Sequence, residues 1–269
     1  MKPKAFEYLR ATSVAEAVEA LARLGDEARI IAGGQSLVPM MNFRLVAPEL
    51  LVDIRHIPEL KEIRVDGDWV EVGAGVTQNR LLAWPELSAR LPLLAASMPW
   101  VGHFQTRNRG TVCGSLAHAD PSSEIPLSLA MLGGEVVLAS KAGTRRLKAH
   151  EFQLGMLTTA KEADELIIAA RFPIHGGQKV AFREVARRHG DFAMVAVGAL
   201  ASSSTEITIG IGGVAGSPVV HRMAKSASVS AEIEALIATL DVNDDIHADA
   251  EMRTDILRRL APAVVAELN

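Results

Sequence analysis

Ile30-Ile-Ala-Gly-Gly-Gln-Ser-Leu37 decides how the first lobe of this chain is read. The apolar residues make a short buried strand, Gly33-Gly34 breaks it, and Ser36 opens a short helix. A strand that turns into a helix in this way points several backbone N–H groups at one spot. The glycines let the chain approach an anion closely, and the helix start adds a favourable dipole. That chemistry suits a phosphate or pyrophosphate, although an ordinary strand-to-helix turn uses the same residues. No Gly-Lys-Ser/Thr follows, so this is not a P-loop, and the G-x-G-x-x-G dinucleotide spacing is absent.

Working outward, Phe6 to Leu9 reads as a strand and Ser13-Val-Ala-Glu16 as a capping box. Val14, Ala17, Val18, Leu21 and Leu24 recur at helical spacing, and Gly25 ends that helix. Ala28 to Ala32 and Leu50 to Ile54 complete a βαβ-like lobe over 1–55. A second lobe, 56–175, opens with a hairpin around Asp66-Gly67. It continues with helices over Gln78 to Ala83 and Pro92 to Trp100, and a third after Asp120-Pro121 with Asp as cap. Strands follow at Glu135 to Ala139, Arg145 to Lys148 and Glu165 to Phe172. Pro173-Ile-His-Gly176-Gly177 reads as a linker into the last lobe, 176–269. That lobe has strands over Val180 to Arg188, Phe192 to Ala201 and Glu206 to Gly212, and two helices beyond Ser228. The expected class is α+β: two α/β lobes and a C-terminal lobe with a three-stranded antiparallel sheet and helices.

Composition narrows the function. The 269 residues are 49% hydrophobic and 22% charged, ordinary for a folded chain with a large core. With 28 Lys+Arg against 32 Asp+Glu the net charge is −4, which argues against a nucleic-acid partner. Aromatics at 4% argue against stacking platforms for single strands. Cys113 is alone, so the chain can neither form an intrachain disulfide nor ligate an iron–sulfur cluster. The first ten residues have no apolar signal core, and no stretch suits a membrane span; the expectation is a soluble, cytoplasmic protein.

A second segment, Arg107-Asn-Arg-Gly-Thr-Val-Cys-Gly-Ser-Leu-Ala-His-Ala-Asp-Pro-Ser-Ser-Glu124, gathers Gly110, Thr111, Gly114, Ser115, His118, Asp120 and Glu124 with little apolar periodicity. Small residues and hydroxyls again suit phosphates, and Asp120 or Glu124 would accept from ribose or adenine groups; a capped loop before a helix is the competing reading. Gly73-Ala-Gly-Val-Thr-Gln78 reads as a turn in the sheet. His118-x-Asp120 with His175 or His189 imitates an iron site, but its position before a helix start and the lack of an all-β context disfavour it. No Gly-x-Ser-x-Gly surrounds Ser36 or Ser115, so a hydrolase elbow is unsupported.

Ala32-Gly-Gly-Gln-Ser36 together with Thr111-Val-Cys-Gly-Ser115 resembles the paired FAD-binding motifs of the medium subunit of molybdenum hydroxylases, such as aerobic carbon monoxide, xanthine and nicotine dehydrogenases. The resemblance extends through Arg107-Asn-Arg-Gly110, Ala117-His-Ala-Asp-Pro121 and Arg187-Arg-His-Gly-Asp-Phe192, and covers the whole chain. It implies that Ala32, Gly33, Gly34, Gln35 and Ser36 wrap the FAD pyrophosphate, flanked by Ile31 and Leu37. Gly110, Thr111, Gly114 and Ser115 hold its other side and the ribityl chain. His118, Asp120 and Glu124 match further contacts, Ile167 and Phe192 lie near the isoalloxazine, and Val101 and Arg183 complete the set. Cys113 departs from the pattern, which usually has glycine there. The implied function is an FAD-carrying electron-transfer subunit, with [2Fe–2S] clusters on a small partner subunit and molybdopterin on a large one. A nucleotide- or phosphate-binding module without redox activity is the alternative. A free-standing flavin oxidase of the berberine-bridge type needs a longer chain.

Overall fold

The computed structural model describes residues 1–201 and 205–268. The N-terminal unit is a three-stranded parallel sheet in the order Glu7–Arg10, Leu50–Asp53, Ala28–Ile31. All four residues of its central strand are buried, as a two-sided parallel strand requires. The Val14–Leu24 helix buries Ala17, Val18, Ala20 and Leu21 and ends at Gly25, whose φ of +50° suits glycine. Its cap differs from the expected reciprocal box. Ser13 Oγ accepts from Glu16 N, but the Glu16 carboxylate turns to the Thr12 N–H and hydroxyl, one residue earlier.

The second unit is a five-stranded antiparallel sheet in the order Ile63–Asp66, Trp69–Gly73, Leu166–Pro173, Glu135–Ser140, Gly143–Lys148. Thr77 caps the Gln78–Leu82 helix, as its sequence suggests. Pro92–Ser97 is α-helical and passes into a 3-10 turn at Met98–Trp100. The later helix begins at Glu124 rather than next to Asp120, because the Asp120 carboxylate accepts from Ser122 N in a separate turn. Arg107 to Glu124 is not one capped loop: it contains the helices Phe104–Arg109 and Val112–His118. Six and seven residues are under two turns, too few for an apolar period to register.

The C-terminal sheet is an antiparallel meander of Lys179–Val185, Val195–Ala201, Glu206–Gly212 and Val219–Ala224. It has four strands where the sequence suggested three. The additional strand is an edge strand whose His221 and Arg222 break an apolar run, which hides it from pattern reading. The expected strand ends at Arg188 and Phe192 shorten to Val185 and Val195, freeing the intervening residues as a loop.

This sheet is covered on both faces. Ala181, Val195, Val197, Ile209 and Ile211 pack against Leu257, Ala261 and Val264 of the Ala250–Ala266 helix. The opposite face, with Phe182, Ala196 and Leu200, joins a larger core that runs back through the first two units. Glycines at 198 and 210 make room on that face for Met131 of the Glu124–Leu132 helix. The first two units thus share one core, and their junction is where the glycine motifs meet.

Candidate functional site

The two glycine-bearing segments face each other across a cleft of about 690 Å³. Their contact is backbone on backbone: a Cβ on Gly33 would stand 2.3 Å from the Arg109 carbonyl oxygen and 2.7 Å from the Gly110 Cα. Neither neighbour can yield, so residue 33 must be glycine for the two units to close. At Gly34 the reason is conformational, since φ is +72°. The far wall is a second clasp. Thr77 and Thr111 form an isolated antiparallel bridge, Gln78 N donates to Gly110 O at 2.8 Å and Val112 N to Val76 O at 3.1 Å. Gly-Val-Thr-Gln78, read as a turn in the sheet, is therefore a structural part of the cleft.

Of the residues that the sequence singled out, Ile31 to Leu37, Val101, Gly110, Thr111, Gly114, Ser115, His118, Glu124, Ile167 and Phe192 line the cleft. Asp120 and Arg183 do not. One oxygen of the Asp120 carboxylate accepts from Ser122 N, and Arg183 pairs with Glu267 at 3.1 Å on the opposite face of the C-terminal sheet. Phe192 is 57% exposed at the mouth, so it has no core role. Arg107 donates to the carbonyls of Val101 and Gly102 at 2.8 and 2.7 Å. Arg187 likewise donates to Ile246 and His247. Arg109 and Arg188 remain exposed.

Thr111 caps the Val112–His118 helix, accepting from Gly114 N at 2.9 Å. A Cβ at 114 would meet that same oxygen at 2.7 Å, so Gly114 is fixed by the cap as well as by the cleft. Cys113 lies inside this helix and is not among the positive-φ residues, so cysteine carries no backbone penalty there. Burial pushes its thiol up to about 12, which leaves it unreactive. The helix ends at Ala119 with φ +52°, and Ala119 O accepts from the N–H of Leu157, itself at φ +53°. Two non-glycine residues in the left-handed region thus hold each other beside the cleft.

Burial pushes the Glu124 carboxyl up to about 7; its own backbone N–H opposes the rise, Asp120 adds to it and Arg107 opposes it. At the other end of the cleft Lys161 is lowered by burial and donates to the carbonyls of Glu162 and Glu165 at 2.6 and 3.2 Å. Arg29 and Asp26, 3.7 Å apart, share that end. Sequence reasoning missed Lys161 and Arg29, which sit in no motif, and gave no role to Gln78, Gly190 or Asp191 although each lies inside a quoted segment.

Two observations test whether a dinucleotide fits. The walls are glycine backbone at positions where a Cβ would collide or strain, which leaves N–H-rich surface for a phosphate. Gln78, 6% exposed, keeps its Oε1 buried without a hydrogen-bond partner at the edge of the cleft, an acceptor waiting for a donor. These residues fit FAD. Among the described residues there is no His/Cys/Asp/Glu group able to hold a metal and no helix long and apolar enough to cross a membrane.

Comparison with known proteins agrees with this chemistry. Residues 4–175 match the family described as FAD binding domain in molybdopterin dehydrogenase. The chain is 35% identical to the 6-hydroxypseudooxynicotine dehydrogenase complex subunit alpha of Paenarthrobacter nicotinovorans, over 99% of this chain and 95% of that protein. It superposes on a chain of carbon monoxide dehydrogenase from Hydrogenophaga pseudoflava with a TM-score of 0.93 at 34% identity, covering 100% of this chain and 98% of that one. A chain of quinoline 2-oxidoreductase from Pseudomonas putida 86 gives 0.93 at 35% identity with the same coverage. The chain belongs to the FAD-binding medium-subunit family of the molybdenum hydroxylases, and is an oxidoreductase subunit.

Proposed function

We propose that this chain carries electrons from [2Fe–2S] clusters of a small partner subunit, through FAD, to an external acceptor, while a large molybdopterin subunit oxidises the substrate. The observation that carries the proposal is the glycine junction at Gly33 and Gly110, which closes two units around one dinucleotide-sized cleft. Bound FAD would supply the redox chemistry, and the protein's task is to bind, orient and shield it. In this reading the backbone of Ala32 to Ser36 and of Gly110 to Ser115 holds the pyrophosphate, and Gln78 Oε1 accepts from a hydroxyl or amino group. Glu124 faces the same wall, while Phe192 at the mouth limits the access of water and oxygen. A single buried cysteine cannot ligate a cluster, which assigns the clusters to a partner chain. The exposed Arg109 and Arg188 suit a docking rim, since a guanidinium pairs with carboxylates and stacks on aromatics. We divide the chain functionally into 1–55 and 56–175, which hold FAD, and 176–269, which closes over them.

Co-expression with cluster-bearing and molybdopterin subunits tests this. The complex should bleach its flavin when substrate is added without oxygen. The isolated chain should carry FAD and oxidise no substrate; turnover by this chain alone would contradict the electron-transfer role.

A further inference from the structure

A second cavity, of about 540 Å³, lies beside the C-terminal sheet and shares no described residue with the glycine cleft. The C-terminal end of the Glu124–Leu132 helix forms one wall, the linker through His175 and Gln178 another, and the last two strands of the sheet the rest. Its size falls among small-molecule sites, which run from roughly 300 to 1,000 Å³. Gly133, at φ +71°, ends the helix there, and His175 Nε2 lies 3.3 Å from the Leu132 carbonyl oxygen, which ties the linker to the helix end.

Three polar groups on these walls are without partners. Thr208 is 4% exposed, and its hydroxyl takes part in no hydrogen bond among the described residues. Gln178 keeps its Oε1 buried with no hydrogen-bond partner. The exposed Arg222 makes no ion pair among the described residues. Thr208 and Arg222 stand directly opposite each other on neighbouring strands, so their side chains share a face with Cβ atoms about 5 Å apart. Leu200, 2% exposed, pairs with Thr208 on the other side. With Leu132, Ile174 and Val220 it gives the cavity an apolar lining.

The walls offer charge of both signs. A free guanidinium takes a carboxylate in a bidentate pair, and the neighbouring Thr208 hydroxyl can donate to the same group. Opposing this, the helix end carries the negative pole of its dipole. Glu206 adds an acid two residues from Thr208 on the same face, and the buried Gln178 oxygen calls for a donor. A simple anion answers only the first set of groups; a ligand that also carries an ammonium answers both.

We propose that this cavity binds the zwitterion of a small aliphatic α-amino acid. Arg222 and Thr208 take the carboxylate, Gln178 Oε1 accepts from the ammonium, and the aliphatic side chain rests on Leu132, Leu200 and Val220. Nothing in this site depends on what the glycine cleft holds.

The test uses the full chain and L-leucine as the probe, followed by isothermal titration calorimetry at neutral pH. Isocaproate, which lacks the ammonium, and isoamylamine, which lacks the carboxylate, are the controls. L-leucine should saturate at one per chain and bind at least roughly tenfold more tightly than either control. Arg222→Gln, a change at an exposed position that should leave the circular dichroism spectrum intact, should weaken L-leucine roughly tenfold or more. Gln178→Leu should weaken L-leucine and leave isocaproate unchanged, because only the ammonium uses the amide oxygen. No saturable binding of L-leucine up to about 10 mM would overturn the site. Isocaproate binding as tightly as L-leucine would overturn the zwitterion, and undiminished binding by Arg222→Gln would overturn the assigned residues.

Discussion

The two faces of the C-terminal sheet each bury an ionisable side chain, and they treat it in opposite ways. On the face toward the tail helices, Arg253 is 1% exposed and fully engaged. It donates to the carbonyls of Met194 and Gly213 at 2.6 Å and of Ala248 at 3.4 Å, and pairs with Asp245 at 2.7 Å. On the face toward the cleft, Glu184 is almost as buried and has no hydrogen-bond partner for either oxygen. Burial alone therefore does not tell how a charged side chain is accommodated; the accounting of partners does. Arg253 ties the last helix to Met194 and Gly213, the residues that flank the Val195–Ala201 and Glu206–Gly212 strands. Glu184 is buried without such partners, against the helix that begins at Glu124.

The contrast makes predictions of graded size. Arg253→Met should cost about 4 kcal/mol of stability, because it leaves the Met194 and Gly213 carbonyls buried and unpaired. Denaturant unfolding measures this, and a loss under about 1 kcal/mol would mean that water replaces the guanidinium. Glu184→Gln should act in the opposite direction and only at high pH. A carboxyl raised from its ordinary value to about 8 contributes stability that is fully present below about pH 4.5. That contribution is lost as pH rises through about 8, where the folded chain must ionise a buried group. The glutamine has nothing to ionise, so it should stabilise the chain by about 2 kcal/mol near pH 9 and hardly at all near pH 5. Thermal melts at the two pH values decide it, and a pH-independent effect would place the cause in packing. Smallest is Ala119→Gly, expected to add up to about 1 kcal/mol by relieving the left-handed φ of +52°. A loss on that change would show that the entropy of glycine outweighs the strain.

How much of this was legible in the sequence differs between the same regions. The glycine turn at Gly33-Gly34 was readable because strand, break and helix start are local signals. Why Gly33 must be glycine was not, since the obstacle is the Arg109 carbonyl, distant in sequence. The helices at 104–109 and 112–118 were too short to carry a period, and the edge strand Val219–Ala224 alternates too weakly. Gln78 and Glu184 escaped because each is ordinary in its own element. Only the Gly110 clasp and the Glu184–Ala196–Gly212 row give them meaning. Asp120 and Arg183 show the converse: motif position suggested a contact, and local hydrogen bonding or an ion pair on the far face claims the side chain.

The most direct test of the cleft is FAD binding by the full chain and by Gly34→Val. Gly34 is the cleaner position, because a side chain at 33 would also force the two units apart, whereas a Cβ at 34 meets only Val38 and Ile31 side chains. The positive φ and the lost approach to the phosphates should still be felt there. Titration followed by flavin fluorescence should saturate at one FAD per unsubstituted chain. Gly34→Val should bind at least roughly a hundredfold more weakly, a loss of about 3 kcal/mol, with an unchanged far-ultraviolet circular dichroism spectrum. Full occupancy of Gly34→Val at unchanged affinity, or no FAD on the unsubstituted chain, would contradict the account.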